Sequence, residues 1–193
     1  MALIYQPETA SDGVRAAAEQ LMNAAMTAPK ACAVNNLVIA FAPREDAVKI
    51  GEKMIEMHKS GKYEAWVGRD GRDVKISEGV LLIGTKYGVL GVSPCGSCGF
   101  ENCAKKAKQP GHPCMFNGID LGIALGSVVS RAADMRLDNR MMFSIGLAAR
   151  EMGLFPKEVK MIVGIPLDVK NKSHFYDRTE SMMSHVFQYP KDE

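Results

Sequence analysis

Five cysteines occur among the 193 residues, and four of them, Cys95, Cys98, Cys103 and Cys114, crowd into one short segment in the pattern C-x2-C-x4-C-x10-C. An odd total, clustered this way, is no disulfide framework and points instead to a metal-binding loop. Two cysteines separated by two residues can grip adjacent metals while the chain curls over them. Gly96 and Gly99 suit that curl, because glycine accepts positive φ and lets backbone N–H groups turn towards sulfur. This donor set fits an iron–sulfur cluster, most simply of the 4Fe-4S type. Four thiolates on an oxidised core leave a net charge of about −2, which must be offset. Lys105, Lys106 and Lys108 follow Cys103 and are candidates; the alternative is a solvated helix face. Structural zinc is the rival metal, since four-cysteine tetrahedral sites are common, but the second short hook of a zinc ribbon is missing here. Redox dithiol chemistry is a further alternative. His112 could stand in for Cys114 as a ligand, although a surface histidine in a Gly-His-Pro turn is the plainer reading. Cys32 lies far off in sequence and reads as a small buried hydrophobe.

The remaining composition narrows the class. The chain is 47% hydrophobic and 24% charged, with a net charge of +2. Its basic residues are scattered, which argues against nucleic acid as a partner. The most apolar stretch, 119–129, is too short to span a bilayer and contains Asp120. The start of the chain lacks the basic and apolar regions of a signal peptide, so a cytoplasmic protein is expected. No nucleophile elbow, Walker-type loop or zinc-protease histidine pair is present.

The elements that must position the cysteines follow from periodicity. A helix is expected over 11–27, capped by Ser11 or Asp12 and ended by Pro29. Residues 37–42 read as a buried strand, and 44–59 as a helix with Val48, Met54 and Ile55 inward. The Gly-containing stretch 61–79 carries no clear assignment. Residues 80–83 read as a strand. The cysteine loop then runs from 91 to 114, with a helical turn after Gly99. A long helix is expected over 115–135, with Gly118, Gly122 and Gly126 on one face for close packing in the core or across a dimer. A charged turn follows at 134–140, then a helix from near Asn139 to Gly153, a natural left-handed cap. A strand at 159–165 precedes a polar tail from Asp168. Helices alternating with apolar strands give an α/β or α+β class in one domain, 1–193.

Residues 95–114 resemble the four-cysteine cluster domain of corrinoid iron–sulfur proteins and electron-transport subunits. More broadly, the chain resembles the family of ferredoxin-domain-containing proteins. The matching pieces are Thr27-Ala-Pro-Lys30, the cysteine segment, Asp138-Asn-Arg-Met-Met-Phe143-Ser-Ile-Gly146, Gly164-Ile-Pro-Leu167 and Phe175-Tyr-Asp-Arg178. That resemblance implies the cluster and no settled activity. Electron transfer with a redox partner protein is expected; the alternatives are a zinc- or cluster-stabilised structural or regulatory protein without redox activity, and a flavin reductase that uses the cluster as a relay. A second resemblance is to the flavin-dependent nitroreductase fold. It rests on Ala24-Ala-Met-Thr-Ala-Pro29, on Asn35 or Asn36 before the strand, on the Gly-rich helix and on the closing Gly-Ile-Pro strand. It implies a three-layer sandwich, an intertwined homodimer and FMN at the interface. That family's Arg-Ser phosphate motif is absent, with only Arg15 nearby, so flavin is left open.

Overall fold

The computed structural model describes residues 3–177; Arg178 and the rest of the tail lie outside the described residues. Helix α1 spans Gln6–Thr27, β1 Leu37–Pro43, α2 Arg44–Lys59, α3 Ala65–Lys75 and β2 Gly79–Lys86. Then come α4 Cys103–Ala107, α5 Met115–Asp134, β3 Asp138–Asn139, α6 Phe143–Glu151 and β4 Val159–Asp168. The strands form one sheet in the order β1-β2-β4-β3, with every pairing antiparallel. An antiparallel sheet covered by helices settles the class as α+β.

The sheet is the middle of three layers. Strand β2 is buried at every position except Lys86, so its apolar run serves both faces. Leu81 and Ile83 point to one side, with Ile165 and Leu167 of β4, against Leu21 of α1 and Leu121, Leu125 and Val128 of α5. Val80, Leu82 and Ile162 point to the other side, against Ile50 and Met54 of α2, Val67 and Val74 of α3, and Ile145 of α6. The period-two alternation of strand side chains divides one sheet between two cores.

Several expectations change here. Helix α1 begins five residues before Ser11, at Gln6, with proline in its first turn and Glu8 beside it; both are helix-start features. Ser11 therefore sits inside the helix and bonds the Glu78 carboxylate instead of capping. The unassigned stretch contains α3, whose glycines serve packing: a Cβ on Gly71 would stand 2.8 Å from the Gly51 carbonyl oxygen, and one on Gly51 would stand 2.6 Å from that of Gly71. The buried side of α2 is Ala47, Ile50, Gly51, Met54 and Met57, with Val48 and Ile55 only partly covered. The charged turn holds β3, and α6 starts at Phe143, four residues later than expected. Gly153 does take the left-handed conformation, at φ 66°. The glycine stripe on α5 is not packed in the core, because a Cβ on Gly118, Gly122 or Gly126 would meet nothing within 4 Å.

Candidate metal centre

The cysteine segment leaves the sheet at the end of β2 and returns as the first turn of α5. Its backbone curls at Gly91, Gly96 and Gly99, with φ of 78°, 74° and 83°, and the Gly99 N–H closes a turn on the Gly96 carbonyl at 2.9 Å. Positive φ at both inner glycines is the conformation that their type allows at no steric cost. Asn102 caps α4 by accepting the Lys105 N–H at 2.9 Å, which fixes Cys103 as the first residue of that helix.

This path brings all four sequence-predicted cysteines to one cavity. Cys95, Cys98, Cys103 and Cys114 line it together with Leu90, Val92, Phe100 and Phe116. All four are free thiols, graded from exposed Cys95 through Cys98 and Cys103 to buried Cys114. The Cys103 thiol lies 3.6 Å from the Val92 carbonyl oxygen. Among the described residues, no three His, Cys, Asp or Glu side chains form a group that could hold a metal ion.

Cys114 is the N-cap of α5, where its carbonyl oxygen accepts the Asn117 N–H at 3.0 Å and the Asn117 carboxamide oxygen accepts the Cys114 N–H at 3.0 Å. The positive end of the helix dipole therefore faces this sulfur. The Asn117 Nδ2 group is buried and has no acceptor. An orphaned donor one turn from a ligand-type cysteine fits a site built for an anionic group. At the exposed end, the Cys95 thiol is held below the usual thiol range, first by the Ser97 hydroxyl and then by the Ser97 backbone N–H.

The other candidates stand apart. His112 is exposed and packs edge-on to Phe100 with centroids 5.6 Å apart; it is not among the residues lining the cavity. Cys32 is exposed, which corrects its reading as a buried hydrophobe. It lies in a short 3-10 turn with φ 54°, and Asp120 of α5 holds that turn through the Ala31 N–H at 3.0 Å. Two features were not legible in the sequence. Lys106 is buried at 2% exposure while Lys105 and Lys108 are exposed. Buried Asp168 pairs with Lys170 and lies 3.3 Å from His174 Nδ1, which ties the chain after β4 to the end of the sheet.

The fold is that of the nitroreductases. A nitroreductase with bound FMN from Desulfitobacterium hafniense matches with a TM-score of 0.58 and 12% identity, over 90% of this chain and 86% of that one. A nitroreductase family protein from Clostridium novyi matches with a TM-score of 0.57 and 15% identity, over 80% of this chain and 74% of that one. Sequence relationship gives the family. The model described as "Uncharacterized protein containing a ferredoxin domain (DUF2148)" matches residues 110–178, which include Cys114. An uncharacterized protein of Archaeoglobus fulgidus is 38% identical over 184 residues, covering 91% of this chain and 97% of its own length. The chain belongs to this ferredoxin-domain-containing family. No helix among the described residues is long and apolar enough to cross a membrane.

Proposed function

We propose that this is an iron–sulfur protein with a redox role, in which Cys95, Cys98, Cys103 and Cys114 hold a 4Fe-4S cluster and electrons pass to or from a partner protein. The observation that carries the reading is the common cavity: four thiols from a loop and two helix starts line one space. The single C-x2-C hook suits an iron–sulfur core better than a zinc ribbon, which uses two such hooks. The orphaned Asn117 Nδ2 is a donor available to an anionic group. When bound, such a cluster supplies one-electron chemistry at a potential set by charge, hydrogen bonds and exposure. This chain's part is to seat it. Leu90, Val92, Phe100 and Phe116 give it an apolar lining, and exposed Cys95 marks the edge nearest solvent, where a redox partner protein would dock.

A flavin reductase that uses the cluster as a relay is the second reading, favoured by the likeness to a fold that holds FMN in the Desulfitobacterium protein. The residues near Arg15 do not favour it. The cavity that Arg15 lines also holds Asp12, Glu45 and Glu78, and Arg44 there is paired with Glu78 at 2.9 Å. Three carboxylates make a poor cradle for a phosphate, so no step is assigned to flavin. A homodimer is part of the proposal, formed through the outward face of α5.

Anaerobic purification followed by iron, sulfide, zinc and flavin analysis tests the reading. About four irons and about four sulfides per chain are expected, and Cys98→Ser should lose most of that iron. One zinc with no sulfide, or unchanged iron in Cys98→Ser, would overturn it.

A further inference from the structure

The cysteine segment concentrates the positive charge of the chain. Residues 86–114 contain four lysines and one glutamate, a net charge of +3, and the chain total of +2 leaves −1 for all other residues. Three of those lysines are at the surface. Lys86 is the one exposed residue of β2, and Lys105 and Lys108 are exposed on α4 and at its end. The exposed lysines are tied to the wall of the cysteine cavity. Asn102 lines that cavity, and its carboxamide oxygen accepts the Lys105 N–H at 2.9 Å. The Lys108 N–H bonds the Lys105 carbonyl at 3.3 Å, so both ammoniums leave from the single turn that Cys103 begins. Lys86 stands four residues before Leu90, which lines the same cavity. Glu101 is the segment's one carboxylate side chain. It faces Lys105 at 3.9 Å with both groups well exposed, an ion pair that water weakens. Cys95 opens onto this exposed segment, and Val89, 38% exposed, adds an apolar contact.

We propose that this face docks an acidic electron-carrier protein, with Lys86, Lys105 and Lys108 meeting its carboxylates around the exposed Cys95 edge. The inference rests on reading the four cysteines as cluster ligands, and it names the chemistry of their partner. Charge complementarity carries it. Exposed ammoniums attract a partner of opposite sign, speed the encounter and turn away a basic one. Interface charges act over about one Debye length, about 8 Å at physiological salt. The partner therefore reads the surface ammoniums more strongly than the thiolate-bound core of about −2 seated in the cavity. Redox encounters bury little surface, so a few lysines and one apolar residue suffice for a contact that forms and parts quickly.

The experiment counts iron and sulfide, reduces the loaded protein with dithionite, removes the excess and mixes it anaerobically with one of two oxidised carriers. Plastocyanin is an acidic one-electron carrier and cytochrome c a basic one. One electron leaves the reduced protein and one reduces the carrier's copper or haem iron, so the stopped-flow colour change follows the transfer. Rates are taken from about 0.02 M to about 0.5 M sodium chloride, over which the Debye length falls from about 20 Å to about 4 Å. With plastocyanin the rate should fall about tenfold across that range, and with cytochrome c it should stay level or rise. Lys105→Glu with Lys108→Glu should lower the low-salt plastocyanin rate about tenfold, raise the cytochrome c rate, and match wild type at high salt. Lys105→Gln with Lys108→Gln should move both rates the same way by less, and it carries the test where the glutamate pair weakens iron uptake. Lys49→Glu with Lys75→Glu is the control: both lysines are exposed, on α2 and α3, and the rates should stay at wild type. A plastocyanin rate that ignores salt or rises with it, unchanged rates in the Lys105 and Lys108 variants, or an equal effect of the control pair would each overturn the proposal. Retention of duplex DNA at physiological salt by wild type, lost in the glutamine pair, would overturn it in favour of a nucleic-acid face. Wild-type protein without iron and sulfide fails the reading of the cysteines and takes this inference with it; the metal count tells that result from a failure of the lysines alone.

Discussion

Chemistry at single residues is graded across the cysteine site. Cys95 is exposed, and Ser97 holds its thiol below the usual range. The sign follows from which form reacts. A lowered value enlarges the thiolate fraction at neutral pH, and thiolate is the nucleophile. In iron-free protein Cys95 should therefore be the first of the four to be alkylated, with Cys114 last because it is buried. Ser97→Ala removes the larger cause and leaves the backbone N–H. The rate-against-pH curve of Cys95 should then move to higher pH, and alkylation at pH 7 should slow by a few-fold. Mass spectrometry of labelled peptides reads both, and an unmoved curve would mean that Ser97 does not hold this thiol. That the four cysteines meet at one cavity was legible in sequence, because their close spacing along the chain carries it. The burial of Lys106 and the unmet Asn117 amide were not. Which face of a five-residue helix turns inward depends on where the whole loop lands, and a run of lysines reads the same either way.

At the scale of elements, periodic apolar segments were read well and glycine-rich ones poorly. Helix α2 and the end of α1 follow the sequence expectation closely, since apolar spacing and Pro29 define them. Helix α3 was missed because Gly68 and Gly71 resemble turn signals, whereas the fold uses them for contact. A Cβ on Gly68 would lie 2.8 Å from the His58 ring, and Gly71 meets the Gly51 carbonyl. Helix α6 and β4 are joined more tightly still: a Cβ on Gly146 would lie 1.8 Å from the Ile162 carbonyl oxygen, and one on Gly164 would lie 2.3 Å from Ile145 Cγ2. Neither backbone can give way without moving a buried element. Gly146→Ala should cost about 3 kcal/mol, at the upper end of overpacking effects. At about 2–4 °C per kcal/mol, its melting temperature should fall by about 6–12 °C. Gly13 is a control of opposite sign. It lies inside α1 with nothing within 4 Å of a Cβ, so Gly13→Ala should stabilise by up to about 1 kcal/mol through helix propensity alone. Thermal unfolding of both variants checks the pair, and a neutral Gly146→Ala would contradict the close approach of α6 to β4.

For the whole molecule, the outward face of α5 is the surface that the two cores do not explain. Met115, Ile119 and Ile123 are 48%, 43% and 40% exposed, and Gly118, Gly122 and Gly126 leave open space beside them. These six positions recur at helical spacing and carry no charge, so the face is self-complementary. A second copy of the same chain can lie against it in an isologous contact, with the glycines allowing the two backbones to come close. The sequence showed the stripe but could not show which way it faced, because apolar residues surround α5 on all sides. Substitution at Gly122 separates the two ways of using the stripe. If the face meets only water, Gly122→Ala removes a helix-weakening residue and should raise stability by about 1 kcal/mol. If two copies cross there, the added methyl groups push the helices apart, and the variant should dissociate at higher concentration and melt lower. Ile119→Glu with Ile123→Glu is the stronger lesion, since it places like charges opposite each other across a two-fold contact. Light scattering on the eluting protein should give twice the chain mass for wild type and one chain mass for the double variant, with its far-ultraviolet circular dichroism retained. A wild-type mass of one chain, together with a stabilised Gly122→Ala, would overturn the dimer and return this face to solvent.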